Sequence, residues 1–281
     1  MTKRSETPRL LLIISFLAFI SLGLPDGLLG VAWPSISGEF DRALSRLAVL
    51  QIALTCGFFF SSVNAGRLIV RFGVGRLLIG SNIVIAAALT GYSFSQEWYL
   101  LIASTVVLGS GGGVVDAGLN AYSAQRFRKG QVTLLHAFYG FGAMLGPMLM
   151  REVLERDASW RYGYLITLVL IILLLTVFIL TRNIWYSPQE KSRGHVHSRE
   201  RLQGKLRRRA WTGVALFLVY TGVEVTVGAW SYTLLTAGRG IAESPAAIGV
   251  GLFWGALTGG RLFFGFFGDR WKAHGVVTAM L

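Results

Sequence analysis

Gly109-Ser110-Gly111-Gly112-Gly113-Val114-Val115-Asp116-Ala117-Gly118-Leu119-Asn120 lies inside a long apolar run. A run of about 20 apolar residues is long enough to cross a bilayer as a helix. On that helix Gly109, Gly113, Asp116 and Asn120 fall on one side, at spacings of four, three and four. The side begins bare, which lets another helix approach closely. It ends in a carboxyl and an amide. A carboxyl at membrane depth is costly, so it faces a cavity or a partner. The stretch therefore predicts a substrate or proton site at a central cavity, with an internal acid–base pair as the plainer reading.

The composition agrees with a polytopic membrane protein. Of 281 residues 53% are hydrophobic and 15% charged, and the mean hydropathy is +0.56. The formal charge of +13 does not point to nucleic acid, because the basic residues sit in short loops between apolar runs. A membrane surface is the simpler partner for them. A single cysteine, Cys56, excludes an intrachain disulfide and a cysteine-rich metal site; it is expected to pack as a small apolar residue in a helix. The four histidines show no ligand spacing, and Gly111-Gly112-Gly113 follows no strand, so no metal, cofactor, phosphate loop or enzyme chemistry is expected.

The first apolar run extends from Leu10 to about Ile36 and contains Asp26. It is too long for a signal peptide and predicts a first span, bent or broken near Gly23-Leu24-Pro25-Asp26-Gly27. Further spans are expected at about 45–70, 76–95, 98–123, 131–151, 161–181, 211–237 and 245–267, with Val276–Leu281 opening a ninth that stops. If the N-terminus is inside and the sides alternate, most of the 27 basic residues fall inside. They include Lys3, Arg4 and Arg9, then Arg67, Arg71 and Arg76, then Arg126, Arg128 and Lys129. The cluster within 182–209 and then Arg261, Arg270 and Lys272 follow. This satisfies the positive-inside rule and predicts an integral protein of a bacterial cytoplasmic membrane.

Three parts are expected: a six-helix unit over 1–183, a basic linker over 184–209, and an incomplete second unit over 210–281. Asp26 and Gly30 return as Glu224 and Gly228 at an offset of 198. Ser45, Gly66 and Arg71 return as Ser244, Gly265 and Arg270 at 199. Near-constant offsets in different spans indicate a duplicated helical unit.

The cytoplasmic ends of the second and eighth spans carry a resemblance to the major facilitator superfamily. Gly265-Phe266-Phe267-Gly268-Asp269-Arg270 matches its loop signature of glycine, acid and base. Gly66 through Arg71, Gly73 and Arg76 matches too, with Val70 in the place of the acid. The resemblance implies an all-α membrane bundle with eight complete spans of an expected twelve, and a gating role for these loop residues. Asp116-Ala117-Gly118-Leu119-Asn120 is similar to the fourth-helix motif of the fucose permease group, though Ala121 stands where a proline often follows; Asp26 matches that group's first-helix acid.

That resemblance implies proton-coupled symport of a neutral sugar or similar small solute. Asp26, Asp116 and Glu224 are the proton-coupling candidates, since removing a carboxyl from water favours its protonated form. Sodium is the other coupling ion considered. Asn120 is assigned to substrate hydroxyls. His136 and Tyr139 share a face of the fifth span with Ala143 and Gly146, and Trp230 offers a ring surface for a sugar. The alternatives are a drug or metabolite exporter and a non-transporting product, the latter because the second unit lacks spans.

Overall fold

The computed structural model describes residues 9–185 and 204–267. Among the described residues, eight helices are long and apolar enough to cross a membrane. They are α1 (Arg9–Glu39), α2 (Leu47–Phe72), α3 (Val74–Phe94), α4 (Trp98–Arg126), α5 (Lys129–Leu154), α6 (Arg161–Thr181), α7 (Gly204–Thr233) and α8 (Glu243–Phe267). The expected fold class, an all-α membrane bundle, is the one observed. Only edges move. The helix α7 begins at Gly204, inside the stretch read as linker.

Of the bend or break expected in α1, a break is not what forms: the helix runs through Pro25 and Pro34. A proline removes one helical hydrogen bond and leaves the carbonyl four residues back without its donor. For Pro25 that carbonyl belongs to Ser21, and both residues line a cavity, where such a group is tolerated.

Glycines set how close the helices come. A side chain at Gly109 would strike the Leu54 carbonyl of α2, and one at Gly113 the Phe58 carbonyl and Ser61. The bare side of α4 is thus filled by α2, as its spacing predicts. Between α1 and α5 the arrangement is reciprocal. Gly23 and Gly27 face the backbone at Tyr139 and Ala143, while Gly142 and Gly146 face Ile20 and Gly27. Close packing of this kind supplies the dispersion attraction that holds helices together in lipid. The glycine at the turn between α2 and α3, Gly73, has φ 76°, a conformation open to residues without a Cβ.

The helices are tied at both ends. On one side Glu39 accepts from Trp160 Nε1 (2.7 Å) and Arg161 (2.6 Å), and Arg161 also donates to the Ser95 carbonyl. This joins α1, α3 and α6. On the opposite side Trp185 packs on Tyr122 of α4 and Phe178 of α6. Helix α8 lies along α5, where Arg151 donates to Ser244 (2.6 Å) at one end and the Gly130 and Gly265 backbones meet at the other. Gly30 of α1 and Gly228 of α7 are in direct contact.

Candidate functional site

A cavity of about 380 Å³ lies among the helices, lined by residues from α1 through α8. That volume suits a small ligand. Its walls carry Ser21 and Asp26 of α1, Gln51, Thr55 and Phe58 of α2, Gly109 and Gly112 of α4, Tyr139 of α5, Tyr164 of α6, Thr221 and Val225 of α7, and Trp254 of α8.

Asp26 is positioned from two helices. Tyr139 Oη donates to Asp26 Oδ2 at 2.7 Å. The α1–α5 approach that permits this bond depends on Gly23, over which the Tyr139 carbonyl passes. Tyr139 in turn meets the Trp254 indole edge-on, with ring centroids 6.3 Å apart and an angle of 80°. Thus a carboxyl, a phenol and an indole from α1, α5 and α8 form one array on the cavity wall.

The other acids are engaged differently. Asn120 Nδ2 donates to Asp116 Oδ1 at 3.0 Å, so the acid and amide of α4 satisfy one another across a helical turn. Neither is among the residues lining the cavity, although Gly112, one turn from Asp116, is. Glu224 is bound by Arg261, whose Nη2 lies 2.7 Å from Oε1 and 2.9 Å from Oε2. The same guanidinium donates to the Tyr220 hydroxyl (3.1 Å) and to the His136 carbonyl (3.3 Å). Glu224, a proton-coupling candidate, is thus held in an internal ion pair. Arg261, counted among the bases on the cytoplasmic side, lies within α8, six residues before its end.

His136 turns its ring edge-on to Phe19 of α1, with centroids 5.4 Å apart, and does not line the cavity. Trp230 packs half-buried against the core, away from it. The rings that do line it are Phe58, Phe59, Tyr92, Tyr139, Tyr164 and Trp254. Trp254 and Tyr164 were not singled out from the sequence, because an aromatic residue within an apolar run gives no sign of which face it takes. Cys56 is exposed on α2 and not packed inside, as had been expected.

At the loop, Gly66 has no atom within 4 Å of where a Cβ would stand, so it is not a close-approach point. Val70 is 88% exposed, and Arg71 lies over the Phe72 ring. Arg76 is exposed at the start of α3. Gly265 packs on Leu134 of α5, and Asp269 and Arg270 lie outside the described residues.

Comparison with known proteins bears on the family and the fold. A family model described as Major Facilitator Superfamily matches residues 11–281. The sodium-dependent glucose transporter 1A of Mus musculus is 26% identical over 90% of this chain and 68% of its own length. The glucose/mannose transporter GlcP of Bacillus subtilis (strain 168) is 19% identical over 92% and 66%. The efflux pump patC of Aspergillus clavatus is 24% identical over 83% and 42%. A crystal structure of the peptide transporter POT in complex with sulfate shares the fold, with a TM-score of 0.53, 15% identity, and coverage of 78% of this chain and 46% of that one. The chain therefore spans between about half and two thirds of the length of most of these proteins. With its eight spanning helices and a family match across nearly its whole length, the chain belongs to the major facilitator superfamily.

Proposed function

We propose that the protein is a secondary active transporter for a neutral sugar or similar small polar solute, with uptake coupled to a proton or sodium ion at Asp26. The observation that carries this reading is the Asp26 carboxyl on a ligand-sized cavity, held by a tyrosine hydroxyl and by no cation among the described residues. A carboxyl so placed can gain or lose a charge without breaking an ion pair. Glu224 lacks that freedom while Arg261 holds it.

Relatives described as glucose transporters, one of them sodium-dependent, support the sugar class. Asp116 with Asn120 forms a second polar pair that a ligand would reach only by displacing their mutual bond. Residues 1–183 and 210–281 are read as related helical units joined by a basic linker, which the Gly30–Gly228 contact supports. The positive-inside charge pattern supports placing the N-terminus in the cytoplasm. An exporter of apolar solutes is the second reading, favoured by the Leu54, Phe58 and Phe59 wall.

The test is uptake of labelled D-glucose into vesicles under an imposed pH or sodium gradient, in wild type and in Asp26→Asn. Gradient-driven accumulation lost in Asp26→Asn with binding retained is the expected result. Full accumulation by the variant removes Asp26 from the coupling, and extrusion of apolar dyes without sugar uptake favours the exporter.

A further inference from the structure

Among the described residues, the buried side-chain polar atoms without a hydrogen-bond partner are Ser95 Oγ, Tyr164 Oη, Thr233 Oγ1 and Trp254 Nε1. Two of these four belong to residues that line the cavity. Trp254 is 3% exposed and Tyr164 1%. Such a group stands out, because leaving a buried donor unmet forfeits the hydrogen bond that water would supply. Neighbouring polar groups are satisfied: Tyr92 Oη is 2.7 Å from Thr105 Oγ1, and Tyr139 Oη is on Asp26.

The indole of Trp254 is also specifically accommodated. A Cβ on Gly228 would lie 2.5 Å from Cζ2 and 3.2 Å from Nε1, so the glycine leaves the space the ring occupies. Gly228 itself is pressed against Gly30. The seat of the indole thus depends on α1, α7 and α8 together.

We propose that Trp254 Nε1 and Tyr164 Oη are specificity-determining groups that hydrogen-bond separate hydroxyl oxygens of the sugar. The assignment rests on the sugar reading above. An indole N–H can only donate, so it selects a ligand bearing an acceptor; a phenol can donate or accept. Both atoms are covered in this arrangement, so the sugar meets them only when the wall around them opens, a rearrangement of the kind carriers make between states. Trp254 comes from a helix after the linker and Tyr164 from one before it. A ligand bonded to both draws the two sides together.

The test uses the purified 281-residue chain in lipid nanodiscs, with tritiated D-glucose as the probe and each monodeoxy-D-glucose as competitor. Trp254→Phe and Tyr164→Phe are each expected to weaken glucose binding by about tenfold, the loss of one well-made hydrogen bond. One deoxy sugar should be weakened against wild type but not further weakened against Trp254→Phe, and a different one should behave so with Tyr164→Phe. Unchanged glucose affinity in both variants overturns the assignment and leaves the sugar reading standing. An equal loss for every deoxy sugar also overturns it, since that marks a structural effect. Should Trp254→Phe fail to fold, the Tyr164→Phe arm decides by the same criterion. No binding of D-glucose, D-galactose or D-mannose by wild type overturns both this inference and the sugar reading.

Discussion

At the scale of single residues the most exacting arrangement is the Glu224–Arg261 pair. Both side chains are largely withdrawn, at 9% and 21% exposure, and the guanidinium also reaches Tyr220 and the His136 carbonyl. Removing one member of a buried pair strands the other charge, at a cost of about 3–5 kcal/mol, whereas removing both is far milder. Glu224→Gln and Arg261→Met should therefore each lower the melting temperature in detergent sharply, and the double variant should recover much of the loss. A double variant as unstable as the sum of the singles would show that the two residues act independently. Tyr139→Phe is a gentler case. It strips the Asp26 carboxyl of its hydroxyl donor and should destabilise by about 1–3 kcal/mol, while Phe retains the edge-on contact with Trp254. A melting temperature equal to wild type would mean that another donor replaces the hydroxyl.

At the scale of helices, what the sequence revealed followed from what lipid demands. Apolar runs of spanning length had to be helices, because backbone groups in lipid must be satisfied within the segment, and all eight are present. Side-chain roles were legible where small residues recur at helical spacing, as in Gly109 and Gly113. They were not legible where one residue type fits two settings. Arg261 falls inside the span expected at 245–267, yet the charge rule that counts it gives no sign that its partner is the Glu224 carboxylate of α7. Trp230 and Trp254 are alike in sequence context, and only the packing of α8 on α5 brings the second to the cavity. The glycines of α4 give a sharp test of this level. Gly109→Ala places a methyl against the Leu54 carbonyl, a backbone atom that cannot swing aside, whereas Gly112→Ala meets nothing nearer than 3.8 Å. Overpacking of this kind costs about 1–3 kcal/mol. Thermal denaturation should rank Gly109→Ala well below Gly112→Ala, with the latter close to wild type; the reverse order would mean that α2 and α4 do not pack through this face.

Across the whole molecule the helices are unequally held. Helices α1, α3 and α6 are tied at one side by Glu39, Trp160 and Arg161, α4 and α6 at the other by Trp185, and α8 is fastened along α5. Helix α7 differs along its own length. Its later part sits on α1 through Gly228 and Ala229, but every residue from Trp211 to Tyr220 is exposed, on all faces of the helix. Local opening is easiest where few contacts must be broken. Amide hydrogen exchange in detergent should therefore run at least about tenfold faster over 211–222 than over the glycine-packed middle of α1, with α8 between them. Limited proteolysis should cut the 204–233 region before 9–185 for the same reason. Equal protection of 211–222 and α1 would sink this account, because it would require a surface covering α7 that the described helices do not supply.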